Sequence, residues 1–356
     1  MSYIAPIAEQ SFVLETIANL PALAMLAGFD HASSDLANSV LEEAGKLAAG
    51  VFAPLNRSGD VEGARWSLDG VILPAGFREA YATFVAHGWN SLAADPDHGG
   101  QGLPFILSVA VQEQLSSANM AFALCTILTQ GAISAIQAHG SDEQKQLYLP
   151  KLVSGEWTGT MNLTEPQAGS DVGAIRSVAT PAGDGSYRIT GSKIFISWGD
   201  HDVADNIVHL VLARLPGAPA GSKGLSLFLV PKYLPDADGA PGQRNGVRCV
   251  SIEHKLGIHA SPTCTMSFGE EDDACVGWRI GPEQGGMRAM FTMMNHARIS
   301  IGLQGVAIAE RAYQGALAFA RERIQSVAAG GDGTPVAIIA HPDVRRMLMT
   351  ALLQKS

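Results

Sequence analysis

Charge is scarce in this sequence: only 16% of its 356 residues are Asp, Glu, Lys or Arg, and 34 acids against 24 bases leave a formal net charge of −10. That balance excludes a nucleic-acid partner, because affinity for a phosphate backbone comes from clustered Lys and Arg that release counterions. Cysteine is scarcer still. The four present, Cys125, Cys249, Cys264 and Cys275, form no CxxC pair and no Cys/His spacing suited to zinc. They read as buried thiols of a reduced compartment, and no metal is expected. A basic start is also missing. The first cationic side chain is Lys46, so neither a secretory signal nor an Arg-rich transit peptide is expected. No apolar stretch approaches the roughly 20 residues that span a bilayer. The expectation is a cytoplasmic protein with no membrane insertion.

Generic catalytic signatures are missing too. No GxGxxG follows a strand, so a dinucleotide fold is unsupported. Gly185 to Lys193 has one residue too many between its glycines for a P-loop and lies in a strand-like run. In Gly169-Ser170-Asp171-Val172-Gly173 the serine comes one place too early for a nucleophile elbow. The ten histidines include no HExxH.

What is present is ample apolar material, 47% of the chain, enough for two or three domains with buried cores. Its periodicity changes twice. From Ile7 to about Leu152 the text is helical, with a capping box at Ser141-Asp142-Glu143-Gln144 and a helix-breaking loop at Gly99-Gly-Gln-Gly102 before Pro104. From Trp157 to Phe268 short β-rich runs follow: Trp157 to Leu163, Tyr187 to Ile196, Ile207 to Ala213, Leu225 to Val230, Val247 to Ile252 and Thr263 to Phe268. Turn clusters separate them without intervening helices, which favours an antiparallel sheet or barrel. After Gly285-Gly286 a helical stripe returns at Met287, Met290, Phe291 and Met294 and continues through Tyr313, Leu317, Ala320 and Ile324. If unbroken to Gln325, that helix is about 60 Å long. A last amphipathic helix opens at His341-Pro342 and, with Leu348, Leu352 and Leu353 on it, reads as half of an antiparallel pair. The expected class is therefore α+β: an N-terminal helical domain (1–155), a middle β-barrel domain (156–284) and an incomplete C-terminal helical bundle (285–356), the chain reading as truncated at its C-terminus.

Two segments carry a resemblance. Met161-Asn162-Leu163-Thr164-Glu165-Pro166-Gln167-Ala168-Gly169-Ser170-Asp171 closely resembles the TEPxAGSD signature of acyl-CoA dehydrogenases, and Gly191-Ser192-Lys193-Ile194-Phe195-Ile196-Ser197 resembles that family's second signature at the expected distance. A strand ending at Thr164 and turned by Pro166 and Gly169 gathers backbone N–H groups and hydroxyls on one spot, as an anionic cofactor requires. The resemblance implies FAD as cofactor. Thr164, with Met161 and Leu163, would meet the pyrimidine edge of the flavin, and Gly169 and Ser170 would serve phosphate or the acyl-CoA chain. Phe195, Ile196 and Ser197 would lie beside the ring, strand alternation placing Phe195 and Ser197 on one face. Asn295 and Arg298, three apart on the long helix, would line the acyl-CoA pocket. Arg323 and His341 match positions that reach FAD across a subunit interface, implying a homo-oligomer. An electron-transfer flavoprotein is the implied acceptor.

The sequence departs from the family in two ways. The resemblance predicts Glu where His296 stands, and a minority of members place their catalytic Glu where Ala297 stands. The usual base lies in a Gly-rich loop beyond Ser356, so no catalytic residue is assigned here. Glu310, more than three turns further along the helix, is expected to be solvated or paired. The implied reaction is α,β-dehydrogenation of an acyl-CoA thioester, with a non-catalytic flavin- or acyl-CoA-binding fragment as the alternative.

Overall fold

Side-chain caps at Ser33, Asn119 and Ser141 start three of the helices of the first region. The computed structural model describes residues 3–270 and 273–355. Up to Gly155 it contains α1 (Ile7–Phe12), α2 (Leu20–Leu23), α3 (Ser34–Leu47), α4 (Ala53–Glu62), a hairpin of β1 (Arg65–Ser67) and β2 (Gly70–Ile72), then α5 (Phe77–Ala86), α6 (Phe105–Ala118), α7 (Met120–His139) and α8 (Asp142–Ser154). The capping box at α8 forms as expected: Gln144 N–H donates to Ser141 Oγ at 3.2 Å and Ser141 N–H to Gln144 Oε1 at 3.0 Å. The hairpin is a small addition to the mainly helical region expected. It forms where Gly70, at φ +128°, supplies a turn that a side chain would strain.

Strands β3 (Trp157–Asn162), β4 (Val178–Pro181), β5 (Tyr187–Ser197), β6 (Asn206–Arg214), β7 (Leu225–Pro231), β8 (Tyr233–Pro235), β9 (Pro241–Arg244), β10 (Val247–Ile252), β11 (Thr263–Phe268) and β12 (Val276–Ile280) follow. Eight of them form one sheet in the order β10-β11-β5-β12-β7-β6-β3, with β4 pairing both β5 and β6. That double pairing closes β5, β12, β7, β6 and β4 into a ring, the β-barrel expected from the turn-separated runs. Most pairs are antiparallel, but β3 runs parallel to β6 with Trp157 opposite Asn206. Both faces of β6 are buried. Val208, Leu210 and Leu212 join the core shared with the helices, while Val211 and Ala213 point into the barrel with Phe228 and Val230, the period-2 alternation of a strand between two layers.

Helix α7 lies on this sheet, and Gly159 lets it approach: a Cβ there would stand 2.3 Å from that of Ala132. The helix corrects the hydropathy expectation. Met120–His139 is long and apolar enough to cross a membrane, but 78% of its apolar window is buried inside the protein. Its hydrophobicity is satisfied by α6, β3 and α9 (Gly286–Glu322).

Helix α9 has 37 residues, about 55 Å. It stops three residues short of the expected end. Arg323 turns extended at ψ 111°, and β-branched Ile324 and Val327 enter β13 (Ile324–Val327), which pairs with β14 (Pro335–Ala337) after the Gly330-Gly331 turn. Ile324 is consequently exposed rather than part of the helical stripe. The chain closes with α10 (Pro342–Lys355), on which Met347, Met349, Leu352 and Leu353 are exposed.

Candidate functional site

The end of β3 and the end of β5 meet. Ile194 N–H donates to Thr164 O at 2.9 Å, so the two signature segments are adjacent in space. After Thr164 the chain makes a tight turn in which Glu165 and Ala168 bond each other's backbones, then a 3₁₀ turn at Val172–Ala174. A carboxylate holds this loop. Glu165 Oε1 accepts from Lys193 Nζ at 2.8 Å, Ser177 Oγ at 2.6 Å and Ser177 N–H at 3.0 Å, and Oε2 accepts from Arg176 N–H at 2.7 Å and Gln167 Nε2 at 2.6 Å. Lys193 also donates to Leu163 O at 3.0 Å. Both charges are buried, with side-chain exposures of 0% for Lys193 and 3% for Glu165. Burial acts to raise the carboxyl's pKa, but the Lys193 ammonium and the hydrogen bonds from Ser177 and Arg176 overcome it and hold Glu165 well below the usual range. Burial lowers the Lys193 ammonium against the pull of the carboxylate.

Along β5 the strict alternation is interrupted. Met266 pairs with Lys193 and Cys264 with Ile196, so Ile194 and Phe195 together oppose one residue of β11 in a bulge. Phe195 takes φ +59° and is 57% exposed, displayed between buried Lys193 and Ile196. Trp198, at φ +52°, is buried and its Nε1 donates to Ala121 O at 3.1 Å. The hydroxyls of Thr164, Ser170 and Ser197 are bonded to no other described residue. Open space surrounds Gly169, where an added Cβ would meet nothing within 4 Å. Met161 is half-buried and Leu163 buried.

No hydrogen bond or ion pair among the described residues joins the α9 candidates to this junction. Arg298 Nη1 donates to Asn295 Oδ1 at 3.1 Å and lies over the Phe291 ring, so these two are brought together on an exposed face. His296 stacks near Phe105 at 5.2 Å between ring centroids. Glu310 is buried and accepts from Gln314 Nε2 at 2.8 Å, so the paired reading holds and the solvated one does not. Arg323 and His341 converge on Gln325: the guanidinium donates to Gln325 Oε1, and His341 Nε2 lies 2.8 Å from Gln325 O. Twenty-five residues of helix separate Arg323 from Arg298, roughly 38 Å.

Residues 40–156 match the N-terminal domain of the acyl-CoA dehydrogenases, and residues 160–270 match their middle domain. The chain belongs to the acyl-CoA dehydrogenase family. It is 51% identical over 350 residues to 3-methylmercaptopropionyl-CoA dehydrogenase of Ruegeria pomeroyi, covering 98% of this chain and 59% of that protein. Against a butyryl-CoA dehydrogenase of Syntrophomonas wolfei it is 40% identical over 337 residues, covering 92% of this chain and 54% of that one. The fold is that of butyryl-CoA dehydrogenase from Megasphaera elsdenii, with a TM-score of 0.73 at 24% identity over 90% of this chain and 76% of the other. The chain thus spans little more than half the length of its curated relatives. Acyl-CoA dehydrogenases are FAD-dependent flavoproteins.

Glu165 and Lys193 lie inside the signatures, but the resemblance assigns neither a role. A signal existed. Ile189, Gly191 and Lys193 share one strand parity, so a lysine was being sent to the face that Ile189 buries, where an ammonium requires a partner.

Proposed function

We propose that this chain forms the flavin cradle and part of the acyl-CoA site of an FAD-dependent acyl-CoA dehydrogenase, in three parts spanning 1–155, 156–284 and 285–356. The observation that carries this reading is Phe195: an aromatic residue in the left-handed region, displayed to solvent where both signature segments join, is costly unless something stacks on it. The residues fit the cofactor. Three hydroxyls without partners among the described residues, those of Thr164, Ser170 and Ser197, lie on the two segments that join there, and Gly169 leaves room for a close approach. When bound, the flavin supplies the acceptor for the hydride leaving the thioester's β-carbon.

The remaining roles belong to the chain. Thr164 and its flanking Met161 and Leu163 bind the polar edge of the ring, while Phe195, Ile196 and Ser197 cover it and exclude water, which strengthens every polar contact inside. Gly169 and Ser170 receive phosphate or the acyl-CoA chain, and Asn295 and Arg298 bind the acyl-CoA. Because Arg323 caps the far end of α9 and His341 stands just before α10, their part in holding FAD implies a second copy of the chain, and an electron-transfer flavoprotein is the matching acceptor. The α-proton needs a base, and Ala297 cannot serve. Glu310 is tied to Gln314 and Glu165 to Lys193. This favours, as the second reading, a chain that binds flavin and thioester without turning over.

The test is flavin occupancy. Thr164→Val combined with Ser197→Ala should weaken FAD retention measured from the visible spectrum of the purified protein. Unchanged occupancy in that double variant removes the assignment.

A further inference from the structure

The Glu165–Lys193 pair is the only ion pair among the described residues in which both side chains are at most 3% exposed. Burying two charges costs several kcal/mol per ion, and an apolar pair of similar volume is often as stable or more so. Global stability is therefore a weak reason for its presence, and what it touches supplies a better one. Lys193 grips Leu163 O, one residue before Thr164, from the strand position two residues before Phe195. Glu165, one residue after Thr164, grips the N–H groups of Arg176 and Ser177 on the far side of the loop that carries Gly169 and Ser170. One pair thereby fixes both banks of the junction.

We infer that Glu165 and Lys193 are positioning residues for the cofactor: a buried electrostatic clip that sets the spacing between the Thr164 loop and the Phe195–Ser197 segment. The inference rests on the flavin reading above. Its geometry has a consequence that a purely structural pair would not have. Removing one charge strands the other in the barrel wall, and removing both restores electrical balance. Neither change restores the grip on Leu163 O and on the Arg176 and Ser177 amides. Stability and cofactor geometry should separate.

The experiment compares Glu165→Leu, Lys193→Met and the combined variant, using three readouts on the 356-residue chain: thermal midpoint, FAD titration, and hydrogen exchange of the Arg176, Ser177 and Ile194 amides. The single variants should lose thermal stability and bind FAD about tenfold or more weakly, the scale on which residues that orient a site's direct ligands act. In the combined variant the midpoint should recover much of the loss, while FAD affinity stays weak, exchange at the three amides stays fast, and the visible band of any bound flavin loses its vibronic structure. Recovery of both stability and FAD affinity in the combined variant would overturn the inference, as would single variants that bind FAD like the parent. If the parent chain binds no FAD, the flavin reading fails by itself. The clip is then judged on exchange alone, where faster exchange of those amides supports it and unchanged protection overturns it.

Discussion

Two buried histidines of the middle region make folding stability depend on pH in a window that can be worked out from their partners. His201 and His209 are 2% and 0% exposed. His201 Nε2 lies 2.9 Å from Thr158 Oγ1, and the Val203 N–H points at its Nδ1 from 3.4 Å, so the neutral tautomer with hydrogen on Nε2 satisfies both nitrogens. A second proton on Nδ1 would face a donor. His209 Nδ1 is 2.7 Å from Thr160 Oγ1, and its Nε2 is buried without a described partner. Burial first, then the positive charge of Lys232, pushes both pKa values from 6.5 down to about 3, with His209 adding to the effect on His201 and Arg244 to that on His209. The carboxylate in that neighbourhood, Asp200, is committed to Lys232 at 2.6 Å and to the Val71 N–H.

A cation-forming group whose folded pKa is depressed leaves the unfolded chain binding more protons, so its stabilising contribution is full above the unfolded value of 6.5 and is lost as pH falls below it. The slope is about 1.4 kcal/mol per pH unit for each histidine. Between pH 7 and 5.5 that amounts to roughly 1 kcal/mol each, about 2 kcal/mol together, and the figure hardly depends on how far below 5.5 the folded values lie. His139 and His296, also lowered by burial, add in the same direction. Glu165 does not interfere, because a depressed carboxylate gives up its contribution only below its unfolded value of 4.5. Urea unfolding at pH 7.5, 6.5 and 5.5 measures the effect, and His209→Gln should shallow the slope. Stability that stays flat down to pH 5.5 would refute the reasoning.

Two further outcomes test packing and chemistry. Gly159→Ala sets a methyl against Ala132 on α7 and should cost about 1–3 kcal/mol, read as a lower thermal midpoint, since overpacked contacts between rigid elements must shift backbone; an unchanged midpoint would mean α7 is free to move. In a dye-reduction assay with several acyl-CoA chain lengths and added FAD, the 356-residue chain should turn over negligibly beside a chain extended with the C-terminal region of a close relative. Comparable rates would reveal a base among these residues, with Glu310→Gln the first variant to examine.

How much of this was legible beforehand depended on whether the signal was local. The six β-rich runs appear within a residue or two of their expected bounds, and the Ser141 cap is as read, because alternation, turn residues and capping geometry act over a few positions. What escaped depended on partners distant in sequence. The parallel pairing of β3 with β6 joins segments some fifty residues apart, and β4, a run of four, is too short to show a period. Helix α9 kept its stripe but lost its last turn, since Ile324 found a strand partner in Ala337. Within the candidate site, the meeting of the two signatures came from the resemblance and not from periodicity. The bulge at Ile194–Phe195 is set by the register against β11, which no single-strand pattern contains.

The distribution of cost across the middle domain bears on what that domain is for. Non-glycine residues at positive φ are few, and two of them, Phe195 and Trp198, flank Ser197 within four positions. Each such conformation costs on the order of 1–3 kcal/mol where the surroundings do not compensate. Trp198 is compensated by burial and by its bond to Ala121 O, which anchors the segment to α7. Phe195, more than half exposed, gains little from the chain itself. Next to it sits a buried ion pair that is at best neutral for stability. Strain, an undersatisfied aromatic and a desolvated charge pair thus coincide where the family's two signatures touch, while the rest of β5 follows ordinary alternation. Selection for stability alone would remove such a coincidence. A ligand that stacks on Phe195 and bonds the hydroxyls of Thr164 and Ser197 would recover part of the cost on binding, so the apoprotein should gain stability on adding FAD in proportion to RT ln(1 + [FAD]/Kd).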